Sequence, residues 1–249
     1  MLEPRAWLVL ALFVFAGGFL DAVAGGGGLL TLPAFLAAGL PASTALGTNK
    51  LVAMTGGLTS TFRYARAGLV RRSALRLALL PLGASVAGAF CATLLAERTL
   101  KLLLMAMVLA ALAALNLRPG PGQRRKEDPS WPKGVLLGVT ALGFYDGFFG
   151  PGTGSFLILL LAWAGLEMTQ AAGDAKLLNL ASNVGAGALF LSRGSARPLL
   201  ALTLIPVMVA GSWAGAGFAV RRGAPAIRLL LAAAVLGLVG KLAWGLCAG

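Results

Sequence analysis

One pattern of polar and glycine residues occurs twice in this chain, half a chain length apart. From Gly17 to Leu51 it reads GGFLDAVAGGGGLLTLPAFLAAGLPASTALGTNKL, and from Leu142 to Leu178 it returns as LGFYDGFFGPGTGSFLILLLAWAGLEMTQAAGDAKLL. Asp21 corresponds to Asp146, the cluster Gly25, Gly26, Gly27 and Gly28 to Gly150, Gly152 and Gly154, and Gly39-Leu40 to Gly165-Leu166. Gly47 corresponds to Gly173, Lys50-Leu51 to Lys176-Leu177 and Gly68 to Gly194. The aspartates are 125 positions apart (146 less 21) and the later pairs 126 (154 less 28), so one residue is inserted within the second glycine cluster. Such self-similarity marks a duplicated structural unit.

The solvent for that unit is lipid. Of the 249 residues, 58% are hydrophobic and 12% charged, with a mean hydropathy of +0.87, against about 25% charged in soluble domains. Apolar runs cover 7–24, 28–40, 45–62, 74–96, 100–117, 134–149, 153–166, 171–192, 198–220 and 226–247. None alternates in the manner of a strand, so helices must satisfy the backbone. The expected architecture is an all-α integral membrane protein with two repeats, 1–117 and 134–249, of about five helical segments each. The proline-rich, charged stretch 118–133 (RPGPGQRRKEDPSWPK) is the linker between them. Five is an odd number, so the second repeat enters the membrane from the opposite face, which makes the repeats inverted.

Charge sets the orientation. Arg63, Arg66, Arg71, Arg72 and Arg76 fall in one loop region, Arg118, Arg124, Arg125, Lys126 and Lys133 in the linker, and Arg221, Arg222 and Arg228 near the end. These thirteen share one face, and six (Arg5, Arg98, Lys101, Arg193, Arg197 and Lys241) share the other; Lys50 and Lys176 lie inside apolar runs. The positive-inside rule then puts the linker in the cytoplasm and both termini outside, in a multi-pass inner-membrane protein. The net charge of +13 is read as topology and contact with anionic lipid, not nucleic-acid binding, because no aromatic-interleaved basic patch is present. Ala22-Val23-Ala24 imitates a signal-peptide cleavage site. However, the charges before it balance and its counterpart is internal, so residues 1–24 are expected to remain as a helix.

Several chemistries are excluded. Without histidine there is no Ser/His/Asp or Cys/His catalytic set, and the two cysteines, Cys91 and Cys247, form no zinc or haem motif. GGGGLLT and GPGTGS match neither nucleotide-binding loop. No enzyme activity, metal or cofactor is expected. What remains is the four charges inside apolar runs that recur once per repeat, Asp21, Lys50, Asp146 and Lys176, at roughly 2.5–3.5 kcal/mol each on insertion scales. Segments 28–40 and 153–166 are too short to cross and follow glycine clusters. Paired interrupted segments of that kind mark a transporter's central binding site.

Broken helices can aim backbone N–H groups at an anion. Thr48, Asn49, Thr153, Ser155, Asn179, Ser182 and Asn183 would add neutral hydrogen-bonding groups, and Lys50 and Lys176 positive charge. Asp21 and Asp146 either pair with the lysines or carry a proton. The competing reading of the lysines is snorkelling, since Lys50 is about two turns from its helix start. Ser43 or Thr44, and Thr169 or Gln170, are the expected helix caps.

These motifs, in order over nearly the whole chain, resemble the TauE/SafE family of sulfite exporters. The resemblance implies an inverted-repeat carrier that exports small sulfur-containing anions such as sulfite or organosulfonates, energised by the proton gradient. Substrate is expected between the repeats, near the glycine breaks, at Gly25, Gly26, Gly27, Gly28, Thr48, Asn49, Lys50, Gly150, Gly152, Thr153, Gly154, Lys176, Asn179 and Asn183. The family pattern carries Gly-Thr at the start of both third segments. Gly47-Thr48 keeps it, whereas the second copy reads Gly173-Asp174, which makes Asp174 a third candidate, beside Asp21 and Asp146, for the coupling proton. A passive anion channel and a non-transporting membrane subunit are the alternative functions. An oligomer is compatible with all three.

Overall fold

A computed structural model describes residues 3–114, 131–225 and 227. Over these the chain forms ten helices and no strand: α1 (Pro4–Ala24), α2 (Gly28–Ala37), α3 (Ala42–Arg66), α4 (Arg72–Leu77), α5 (Leu79–Thr93), α6 (Glu97–Ala114), α7 (Lys133–Phe148), α8 (Thr153–Trp163), α9 (Met168–Ser192) and α10 (Pro198–Arg222). Nine of the ten expected runs are seen as helix, and the fourth is divided at Ala78 into α4 and α5. The tenth run, 226–247, lies almost wholly outside the described residues, as do 118–130 of the linker.

Among the described residues, α1 from Trp7, the α4–α5 stretch and α10 are long and apolar enough to span a bilayer. At about 1.5 Å per residue, α2 and α8 rise about 15 and 16 Å, half of a ~30 Å hydrocarbon layer. The chain is therefore an all-α, multi-pass membrane fold containing two short helices that follow glycine breaks.

Helix boundaries follow local chemistry. Gly25 ends α1 in the left-handed region at φ 79°, where its N–H donates to the Asp21 carbonyl. α2 and α8 close in matching Schellman turns, with Leu40 N–H donating to Phe35 O and Leu166 N–H to Leu161 O. The expected Ser/Thr caps are absent: α3 starts at Ala42 after Pro41, and α9 at Met168 after Glu167. Ser43 thus falls inside the first turn of α3. The Ala42 N–H is satisfied instead by the Glu97 carboxylate, delivered by α6. A residue distant in sequence has replaced the local cap.

Packing repeats with the halves exchanged. A Cβ on Gly47, near the start of α3, would strike the carbonyl of Ser195 just beyond α9, and one on Gly173, near the start of α9, would strike that of Leu69 just beyond α3. α3 and α9 therefore run antiparallel, each start against the other's end. Around them α1 packs on α10 and α5 on α7, while α10 also packs on α3 and α5 on α9. Gly215 of α10 meets the Phe19 carbonyl of α1, and Gly88 of α5 meets the Phe144 carbonyl of α7. Small residues matter here because lipid gives two apolar helices no solvent-driven reason to associate, so close van der Waals contact must hold them. Large apolar side chains such as Leu8, Leu12, Leu79, Leu137 and Leu199 stay exposed on the outer faces.

Candidate functional site

The two glycine breaks cross at the centre. The Cα of Gly154 leaves no room for a side chain on Gly25, while Gly28 lies against the Cα of Pro151. These are one contact seen twice, since 28 and 154, and 25 and 151, differ by the same 126 positions. The crossing is bonded as well as close-packed: Ser155 N–H donates to Gly25 O at 3.3 Å, and Ser155 Oγ to Ala24 O at 2.6 Å. Gly26 and Gly27 complete the first break, Gly27 packing against Asp21. Gly152 caps α8 at φ 82°, and Thr153 donates from its hydroxyl to Gly150 O at 2.8 Å.

On either side of the crossing lies an ion pair joining the halves. Lys50 Nζ of α3 is 2.9 Å from Asp146 Oδ2 of α7, and Lys176 Nζ of α9 is 3.0 Å from Asp21 Oδ2 of α1. The Lys50 ammonium also adjoins Gly150, and Lys176 donates to the backbone carbonyl of Asp21. Side-chain exposure is 1% for Lys50, 2% for Asp146, 0% for Lys176 and 20% for Asp21. Both lysines therefore point inward, and the snorkelling alternative is excluded. An ammonium deprived of water in low dielectric must be paired, and each lysine meets this need with the aspartate of the other half.

The remaining polar groups divide. Asn49 Oδ1 accepts from Thr31 Oγ1 at 2.6 Å, which ties α3 to α2. Lys176, Asn179 and Asn183 follow one another at helical spacing along one face of α9. Asn183 Nδ2 donates to Asn179 O at 2.8 Å. Ser182 donates to Asp146 as well as to its own helix. Tyr64 of α3 donates to Ala22 O at 3.1 Å, next to Asp21.

Thr48 and Asp174 do one job. Thr48 Oγ1 accepts from the backbone N–H of Arg197 at 3.0 Å, and Asp174 Oδ1 from that of Arg71 at 2.8 Å. Thr48 and Asp174, and Arg71 and Arg197, are again 126 positions apart. The acid adds a second bond, 2.7 Å from its Oδ2 to Arg71 Nε. The Arg71 guanidinium then lies 4.3 Å over the Trp131 ring, 93% of the residue hidden from solvent. Arg71 reads from sequence as one of several loop arginines. The signal that separates it was present in its fixed offset from Gly68, which matches that of Arg197 from Gly194.

Residues 9–242 match the model of the family described as Sulfite exporter TauE/SafE. The chain is 38% identical to a "Probable membrane transporter protein ORF9" of a Sinorhizobium species, over 91% of this chain and 87% of that one. It is 33% identical to the "Probable membrane transporter protein YfcA" of Escherichia coli, over 93% and 87% of the two chains. A "Probable membrane transporter protein" of Haemophilus influenzae is 36% identical, over 86% and 85%. No solved structure matches. Family match, full-length relatives and apolar helices agree: this chain belongs to the TauE/SafE sulfite exporter family of membrane transporters.

Proposed function

We propose that the protein is a secondary transporter of the inner membrane that exports small sulfur-containing anions, sulfite or organosulfonates, by proton-coupled alternating access. The observation that carries this reading is the reciprocal pair of buried salt bridges, Lys50–Asp146 and Lys176–Asp21, flanking two crossed helix breaks. A lysine already neutralised by a carboxylate holds an anion only when that carboxylate gives up its place. A proton on the aspartate does this, because a neutral carboxyl no longer competes for the ammonium. Anion and proton thereby become linked through one lysine. A dianion carried with one proton retains negative charge, and an inside-negative potential favours its exit by about 2.3 kcal/mol per charge per 100 mV.

The glycines of the two breaks, with Thr48, Asn49, Thr153, Asn179 and Asn183, are the proposed neutral binding groups. Asp21, Asp146 and Asp174 are the candidates from which the proton carrier is drawn. The two halves, 1–117 and 134–249, are proposed to be inverted about an axis in the membrane plane. The reciprocal packing of α3 and α9 supports this arrangement. In it the termini face outward and the linker the cytoplasm.

Sulfite counterflow in proteoliposomes tests the function. Saturable counterflow, accelerated by a pH gradient and lost in Lys50→Ala/Lys176→Ala, is the expected result. Flux that neither saturates nor shows counterflow would mean a channel, and no flux or binding of any sulfur oxyanion would mean a non-transporting subunit.

A further inference from the structure

The two salt bridges are related by the internal repeat, but their surroundings are not. Asp146 has two donors, the Lys50 ammonium and the Ser182 hydroxyl, and its side chain is 2% exposed. Among the described side chains Asp21 is held by Lys176 alone, and it is 20% exposed. The residue 126 positions before Ser182 is Gly56, which has no hydroxyl to offer. The amides are equally one-sided: Asn179 and Asn183 share the Lys176 face of α9, whereas the positions equivalent to them on α3 are Ala53 and Gly57.

The opening at Asp21 faces inward. Asp21 continues the stripe Leu10, Val14, Gly17 at three- and four-residue spacing. Leu10 and Val14 are fully buried, and the exposed Leu8, Leu12 and Phe15 lie on the opposite side of α1. The accessible carboxylate is therefore on the protein side of the helix, not the lipid side.

We infer that the two bridges have different tasks. Lys50–Asp146–Ser182 is a fixed brace, and Lys176–Asp21 is the exchangeable pair, at which an anion takes the carboxylate's place on the lysine when the carboxylate binds a proton. A proton arriving at the exposed edge of Asp21 binds its Oδ2, the bond from Lys176 Nζ to that oxygen breaks, and an oxygen of the anion accepts from the ammonium instead, beside Asn179 and Asn183. Release runs in reverse: the proton leaves Asp21, the carboxylate recaptures Lys176 and the anion departs. This deepens the transport reading above and rests on it for the identity of the anion, but not for which aspartate titrates.

Few other groups can supply the pH dependence. Of the helices packed on α1, α2 and α8 carry no titratable residue, and α10 only Arg221 and Arg222 in its last turn. α3 presents Tyr64 to Asp21, and its Lys50 is held by Asp146; α9 presents Lys176, and its Asp174 is held by Arg71.

Infrared difference spectroscopy during a pH titration, on the full chain in nanodiscs without substrate, reads this directly. Among the carboxylic-acid carbonyl bands that appear as pH falls, one should vanish in Asp21→Asn and persist in Ser182→Ala, which removes only the brace's hydroxyl. With an organosulfonate as probe, whose charge is fixed across the titration, Asp21→Asn should still bind, with an affinity that no longer changes with pH. A titration spectrum that Asp21→Asn leaves unchanged overturns the inference whatever the substrate. Should Asp146→Asn fold and abolish the band, the tasks are reversed. A titrating Asp21 with no sulfite or sulfonate binding would leave the division of tasks standing and sink the anion assignment instead.

Discussion

Asp174 brings an acid to a position where the first half has a threonine, and its surroundings account for it. Both residues accept a backbone N–H from the arginine that follows the opposite half's glycine turn, but only Asp174 also holds that arginine's side chain. Removing one partner of a buried pair strands the other charge, at a cost of about 3–5 kcal/mol. Asp174→Ala should therefore lower the apparent melting temperature in detergent sharply. Asp174→Thr should recover part of the loss, since it restores the N–H acceptor and not the counter-charge. Arg71→Ala combined with Asp174→Ala should be less damaging than the two single effects added, because no charge is then left unpaired.

At the scale of elements, the glycines separate into turn residues and contact residues, and their substitution should show it. Gly39 sits at φ 82° with nothing within 4 Å of where a Cβ would lie. Gly39→Ala then costs only the left-handed backbone penalty, about 1–2 kcal/mol, and should leave transport intact. At Gly154 a Cβ would stand 2.6 Å from the Gly25 Cα, a backbone atom that cannot swing aside. Gly154→Ala should destabilise by about 1–3 kcal/mol from overpacking and, unlike Gly39→Ala, reduce anion flux, because it forces apart the breaks that carry the two pairs. Thermal unfolding and counterflow measured on both variants separate the two kinds of glycine.

For the whole molecule, the antiparallel run of α3 and α9 puts Arg72 and Arg197 at opposite ends of the central helix pair. Each of these helices has 25 residues, about 37 Å at 1.5 Å per residue, more than a ~30 Å hydrocarbon layer. Both arginines are exposed. In a variant lacking Cys91 and Cys247, a membrane-impermeant thiol reagent should label Arg197→Cys in intact cells and reach Arg72→Cys only in inverted vesicles. Labelling of both from one side would contradict the inverted arrangement and the cytoplasmic linker together.

Much of this is written in the chain itself. Apolar runs fix where helices form, because a backbone in lipid must bond to itself. Glycine clusters fix where helices break, and the duplicated order of Asp, Gly and Lys marks both halves of the centre before any coordinate is known. Sequence also narrows the internal charges that recur in both halves to two aspartates and two lysines, but it cannot say which acid meets which base. Local periodicity specifies neighbours within one helix, whereas Lys176 and Asp21 are 155 positions apart. Only the crossing of the breaks and the antiparallel seating of α3 on α9 bring each lysine to the aspartate of the other half. The same assembly moved Glu97 onto the start of α3 in place of a local cap, and put Arg71 onto Asp174. It also made the two pairs unequal: Ser182 reaches the carboxylate of Asp146, whereas that of Asp21 stays partly exposed, a difference of surroundings that exists only once the helices have packed.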